Sequence, residues 1–230
     1  MDSKIMDKKK DIRILALAII STLIIAMMTR LPKLLLLLIH ADVSGNVLNL
    51  IKSIFKFILA GPTALVIRNL LNEKVKIGKR NLVKGIFLYG TIVVIATVLQ
   101  FIVNFYDLEK GIMEAMPSLL LLLIQCISVG VYEEILCRGL LFTAFRNYFG
   151  EGKKKIFLAI LLSGLVFGLL HLTNLIDRPD QIMSVLLQVV YTTVGGIVFA
   201  FVYYRTDNLL PCIILHTLFN FSGTYWKCFV

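Results

Sequence analysis

Apolar residues in this chain come in blocks too long for a water-soluble fold. Ile14 to Met28 is one such block, and the chain carries several more. A run of about 20 apolar residues is long enough to cross a bilayer as a helix. Inside lipid every backbone N–H and C=O must be satisfied within the segment, which leaves the α-helix as the natural form of such a run. The composition agrees: 58% of the 230 residues are hydrophobic, with a mean hydropathy of +0.87, against about 45–50% apolar residues in a soluble domain. The fold class expected is all-α, a polytopic integral membrane bundle of seven to eight transmembrane helices. Residues 1–230 form a single membrane domain in this reading. Seven spans are predicted, near 14–29, 47–67, 85–105, 117–145, 156–176, 182–204 and 208–226. The leucine run near 35–40 is too short to span; it reads as a re-entrant or interfacial piece, or as part of an eighth span.

The formal net charge of +10 does not point to nucleic acid, because the basic residues lie between the apolar blocks. Lys and Arg number five in the N-terminal tail, two in 30–46, six in 68–84, one in 106–116, four in 146–155 and one in 177–181. Asp107, Glu109 and Glu114 accompany the single base of 106–116. The alternation of high and low is the positive-inside pattern, and it predicts a cytoplasmic N-terminus with seven spans. An uncleaved first transmembrane helix is expected, since no small-x-small cleavage site follows Met28. Cys126, Cys137, Cys212 and Cys228 contain no C-x-x-C pair and read as free thiols rather than a disulfide framework or a zinc ribbon.

Charges inside a membrane are costly, usually face the bundle interior and mark function. The stretch V-Y-E-E-I-L-C-R places Glu133, Glu134 and Arg138 in an apolar block. Glu134 and Arg138 are four apart, share a helix face and can pair. Glu133 points about 100° away and has no partner on its own helix, which leaves it free for general acid–base work. Phe167 and His171, in F-G-L-L-H, are four apart, so the aromatic can wall the imidazole. His216 and Asn220, in H-T-L-F-N, repeat that spacing. Counting about 1.5 Å per residue from the predicted span ends puts Glu133, His171, His216 and Asn220 in one layer, roughly 12–22 Å deep. Each histidine alone could equally be a satisfied interhelical donor. Lys52 and Lys56 share a face and read as snorkelling or cavity-lining residues. Gly164, Gly168 and the Gly195–Gly196 pair read as close helix-packing positions.

Taken in order on successive apolar spans, E-E-x-x-x-R, F-x-x-x-H and H-x-x-x-N resemble the CPBP family, also called Abi, which groups CAAX prenyl proteases with bacteriocin-processing and immunity proteins. The matching residues are Glu133, Glu134, Arg138, Phe167, His171, His216 and Asn220, and the resemblance covers about residues 117–226. It implies an intramembrane endopeptidase. Glu133 and His171 would activate a water, and His216 and Asn220 would hold the oxyanion. Glu134, Arg138 and Phe167 would shape the site. The family is often labelled metallopeptidase, and Glu133, His171 and His216 could ligate zinc with an open water position. The H-E-x-x-H spacing is absent, and a metal-independent, glutamate-activated water is the reading favoured. The implied partners are a peptide or membrane-protein substrate and the lipid bilayer. The small size and Lys-rich tail suggest a bacterial plasma membrane. Two other functions use the same residues: a non-catalytic bacteriocin self-immunity or scaffold protein, and a transporter with a Glu/His proton relay. Substrate identity and oligomeric state are not legible in the sequence.

Overall fold

The computed structural model describes residues 2–105 and 110–230, with side chains from residue 11 onward. Asp107 and Glu109, counted in the acidic 106–116 connection, lie outside the described residues. Those described form helices and loops, with no strand.

The chain opens with α1 (Asp2–Met28), turns, and forms the short α2 (Leu31–Leu38), which carries Pro32 in its first turn. Pro is tolerated there because that N–H has no helical acceptor. At eight residues, α2 rises only about 12 Å, so the leucine run is not a further span. Next comes α3 (Gly45–Leu71), capped by the Ser44 hydroxyl, which accepts from Val47 N at 3.4 Å, and closed by Asn72 in the left-handed region. After a loop, α4 (Leu82–Lys84) runs through a π-helical turn (Gly85–Tyr89) into α5 (Thr91–Val103), with a bend of 71° at the break. The predicted span 85–105 is therefore broken. A Cβ on Gly90, at the bend, would lie 2.4 Å from Leu215 Cδ1 and 2.9 Å from the carbonyls of Gly85 and Ile86, closer than a real side chain allows.

The C-terminal half begins with α6 (Ile112–Glu134), continues through a π-helical segment (Ile135–Phe142) and ends its first arm with α7 (Thr143–Phe149). There follow α8 (Lys153–Leu170), a 3-10 stretch (His171–Ile176), α9 (Ile182–Thr206), α10 (Leu210–Ser222) and a last 3-10 turn (Tyr225–Cys228). Five of these helical runs are long and apolar enough to cross a membrane, and six if the bent α4–α5 pair counts as one span. The seventh predicted span is α10. With 13 residues it rises only about 20 Å, short of a hydrocarbon core of about 30 Å. The polytopic all-α architecture stands, with fewer full crossings than the hydropathy blocks suggest.

Two sets of clamps close the ends of the bundle. At one end Lys76 meets Asp207 at 3.0 Å and Arg146 meets Glu73 at 3.0 Å. The Asn208 side chain donates to the carbonyls of Gly78 and Arg80, both at 2.7 Å, and accepts from Gly78 N at 3.1 Å. This end gathers the basic connections 68–84 and 146–155. At the other end Asp177 holds Lys33 at 2.8 Å and Arg30 at 3.4 Å, and Lys110 Nζ donates to the Val230 carbonyl at 2.7 Å.

Between the ends the packing is close. A Cβ on Gly196 would lie 2.9 Å from Gly164 Cα, so α8 and α9 touch backbone to backbone there. A Cβ on Gly130 would lie 2.6 Å from Thr217 Oγ1, which seats α10 against α6. Leu and Ile side chains face outward along α1, α3, α5 and α9 while Glu134, Arg138 and His216 are buried. That distribution is the one a lipid solvent selects.

Candidate active site

The polar centre lies where α6 gives way to the π-helical segment. All eight residues of Ile135–Phe142 are buried. A π-helical turn shifts the bonding partner from i−4 to i−5 and recurs at functional sites. Here Thr143 Oγ1 adds a 3.0 Å bond to the carbonyl of Arg138, five residues back.

Within this element Arg138 Nη1 donates to Glu134 Oε1 at 2.9 Å, with the two side chains 2% and 0% exposed. A buried ion pair needs further partners to offset its desolvation, and this one has several. Arg138 Nη2 donates to the Gly196 carbonyl at 3.3 Å, reachable because α9 approaches so closely. The guanidinium also lies over the rings of Phe167, at 4.6 Å, and Phe199, at 5.1 Å, a favourable cation–π geometry. Glu134 Oε1 takes a second donor, His216 Nδ1, at 2.7 Å. Glu134 Oε2 is buried and has no protein partner.

That contact sets the His216 tautomer. A carboxylate paired with Arg138 only accepts, so the His216 proton sits on Nδ1. Phe199 stacks on the imidazole with centroids 5.3 Å apart and 16° between planes. Nε2 is then the face turned to Glu133, whose Oε2 is 3.7 Å away. The gap is too long for a hydrogen bond.

Glu133 differs from its neighbour. Its side chain is 23% exposed, makes no hydrogen bond among the described residues, and lines two cavities of about 490 and 710 Å³. His171 lines both as well. It stands just after α8, where the chain tightens into the 3-10 stretch, and its Nδ1 bonds the Phe167 carbonyl at 3.0 Å. A carbonyl only accepts, so the proton is on Nδ1 and Nε2 carries the free lone pair. Phe167 meets His171 edge to face at 5.1 Å and His216 at 6.1 Å. Asn220 follows His216 by one turn on α10 and lines the larger cavity together with Glu133, His171 and His216. Its side-chain amide has no protein partner among the described residues.

Every site residue expected from the sequence is therefore brought together. Glu133, His171, His216 and Asn220 face one cavity, and Glu134, Arg138 and Phe167 stand behind or beside them. Only Nε2 of His216 is left to face the cavity, since its Nδ1 is committed to Glu134. Sequence reasoning missed Phe199 and the Gly196 carbonyl. Phe199 is one aromatic among many in an apolar span and carried no signal. Gly196 was recognised as a packing residue but not as the acceptor that packing exposes.

Among the described residues no group of three or more His, Cys, Asp or Glu side chains is arranged to hold an ion. The Nδ1 atoms of His171 and His216 are tied to a carbonyl and to Glu134, which leaves Nε2 as the free ring nitrogen of each, and Glu133 Oε2 stands 3.7 Å from His216 Nε2.

A multi-pass helical membrane protein with a carboxylate, two histidines and an amide around an internal cavity is the class that fold and site define. Residues 115–222 match the family described as type II CAAX prenyl endopeptidase Rce1-like, and the resemblance to the CPBP family is borne out over that part of the chain. The match supports a peptidase role for this integral membrane protein. No curated protein and no solved structure matches the chain.

Proposed function

We propose that this protein is an intramembrane endopeptidase of the CAAX prenyl protease type, in which Glu133 activates the attacking water without a metal. The observation that carries the reading is the convergence on one cavity of Glu133, His171, His216 and Asn220 from α6, the end of α8 and α10. Glu133 is the one carboxylate there not locked by an arginine.

In this mechanism a water sits between Glu133 and the free Nε2 of His171. Glu133 takes a proton from it, and the hydroxide attacks the scissile carbonyl. The negative charge that develops on the carbonyl oxygen is met by Asn220 Nδ2–H and by His216. For His216 to donate from Nε2 it must be the imidazolium, with Glu134 opposite its charge at Nδ1. Preorganised donors of this kind are typically worth about 3–4 kcal/mol each in the barrier. Collapse breaks the C–N bond, and the proton held by Glu133 passes to the leaving amine. Phe167 and Phe199 keep the donors in place and exclude bulk water. We place the N-terminus in the cytoplasm, because the basic connections gather at the end of the bundle that α1 starts from.

The test compares purified wild type with Glu133→Gln in lipid, each incubated with a diverse peptide library, with and without a chelator, and read by mass spectrometry. Cleavage by wild type alone, unaffected by chelator, is the expected result. Cleavage abolished by chelator would overturn the metal-free mechanism. Equal cleavage by both proteins would remove Glu133 from its role. Cleavage by neither, with Glu133→Gln still protecting cells from a bacteriocin, would make this an immunity protein.

A further inference from the structure

Lys52 and Lys56 take no part in the chemistry above. They lie one turn apart on α3, about 10 and 16 Å along the helix from its first residue. Neither makes an ion pair or a side-chain hydrogen bond among the described residues, although four other lysine and arginine side chains of the bundle do so with carboxylates at its ends. An unpaired cation at that depth costs several kcal/mol and marks function by default. Both lysines line the smaller cavity of about 490 Å³, as do Arg30, Lys33 and Arg178, against two carboxylates, Glu133 and Asp177. Arg30 and Lys33 are already held by Asp177. The positive charge left over belongs to Lys52, Lys56 and Arg178.

We propose that this cavity is a binding site for a peptide carboxylate, which orients the bound chain toward Glu133. The proposal rests on the protease reading for the identity of the ligand as a peptide. Three observations select it. The cavity is cationic where the bundle around it is apolar. It shares Glu133, Phe167 and His171 with the larger cavity, so a chain held in one reaches the other. Lys56 sits near mid-depth on a 27-residue helix, below the level of lipid headgroups, which favours a peptide threaded into the bundle over a phospholipid. The carboxylate is either a chain end or an acidic side chain near it. A lysine pair is a point-charge receptor and accepts both.

The experiment uses the full chain carrying Glu133→Gln, which binds without turnover, in nanodiscs of neutral phosphatidylcholine. Pooled nine-residue apolar peptides are offered in three forms: with a free C-terminus, with an amidated C-terminus, and amidated with a glutamate among the last three residues. Retained peptide is quantified by mass spectrometry. A charge-assisted contact predicts about tenfold stronger retention of the free acid than of the plain amide. The acidic amide ranks with the free acid if a side chain suffices, and with the plain amide if the site reads the chain end. Lys52→Gln combined with Lys56→Gln should abolish the preference, and Lys52→Arg with Lys56→Arg should retain it. Elution of the glutamine variant as a single folded species guards against misfolding. Equal retention of all three forms, retention of none, or a preference that survives loss of both lysines overturns the proposal. So does displacement of the peptides by phosphatidylglycerol in the nanodisc, which would assign the cavity to a lipid headgroup. An acid preference in a protein that cleaves no peptide would keep the carboxylate site and sink the protease reading.

Discussion

Glu133 and Glu134 are neighbours in sequence and opposites in setting. Glu134 lies in a sealed corner with Arg138, His216 and Phe199, and is 0% exposed. Glu133 lies on an open wall with His171 and Asn220, and faces two cavities. About 100° of helical rotation separates them. The sealed corner behaves as scaffold: Glu134 Oε1 is held by Arg138 and His216, aromatic rings cover the guanidinium, and only Glu134 Oε2 lacks a protein partner among the described residues. The open wall has donors and a lone pair without protein partners, which a substrate and a water can engage. His216 belongs to both, with Nδ1 in the corner and Nε2 toward the wall. Such a division lets the costly buried charges fix geometry while a single carboxylate remains free to take a proton.

The comparison breaks most sharply at Glu133. Replacing it with Gln should lower peptide cleavage by about a thousandfold, within the usual range for loss of a general base. Thermal stability in detergent should be unchanged, since the side chain makes no hydrogen bond to lose. Loss of activity together with a large drop in Tm would show that Glu133 is scaffold like its neighbour.

Arg138 tests the other side. Arg138→Met removes the partner of a buried carboxylate, which typically costs about 3–5 kcal/mol. Denaturant unfolding should show that loss. Adding Glu134→Leu should recover much of it, because a buried pair replaced by apolar residues is often neutral. The double variant should fold yet cleave poorly, having lost the anchor of His216 Nδ1. If it cleaved normally, Glu134 would have no role in orienting the imidazole.

How far this division was legible in the sequence depends on which interactions set it. The Glu134–Arg138 pair follows from i, i+4 spacing on one helix, and the structure shows it. The rotation of Glu133 away from that pair follows from the same helix geometry. The bond from His216 to Glu134 spans 82 positions and depends on how α10 seats against α6, which no local pattern encodes. The π-helical segment is equally hidden, because Ile135–Phe142 reads as ordinary apolar helix. Hydropathy located every apolar run, but it weighs composition rather than path. It could not register the 71° break after Tyr89 or the shortness of α10. Gly164 was legible as a packing residue through its small-x-x-x-small spacing with Gly168, and Gly196 through its pairing with Gly195. Their consequence, a carbonyl delivered to Arg138, was not.

That close approach gives a smaller expected effect. Gly164→Ala would put a Cβ 2.6 Å from Ile197 Cγ1 and 2.7 Å from Ile197 N. The second atom is backbone and cannot swing aside, so α8 and α9 must separate. Overpacking of this kind costs about 1–3 kcal/mol. The shift should also lengthen the Arg138–Gly196 bond and so disturb the corner before the wall. Stability should fall first, with the KM for peptides little changed. A variant with full stability would mean that the helices separate without strain and that the corner does not depend on their contact.

The smallest effect lies at an end clamp, Asp177, which lines the smaller cavity. Its carboxyl is held below the usual range chiefly by the hydrogen bond from Lys33, with the charges of Lys33 and Arg30 adding to it. A depressed carboxyl stabilises the fold above its unfolded value, about 3.9. That contribution fades as pH falls through the lower folded value. The pair is partly exposed, with side chains 45% and 37% accessible, so solvent screening holds its worth to a few tenths of a kcal/mol. The Tm difference between wild type and Asp177→Asn should thus be small at pH 7, shrink below about pH 4 and shrink again in high salt. Arg30 also donates to the Thr173 carbonyl, two residues from His171. If Asp177→Asn instead changed cleavage strongly at pH 7 with Tm unmoved, the end clamp would be acting on the wall through the 3-10 stretch, and the corner would not be its only support.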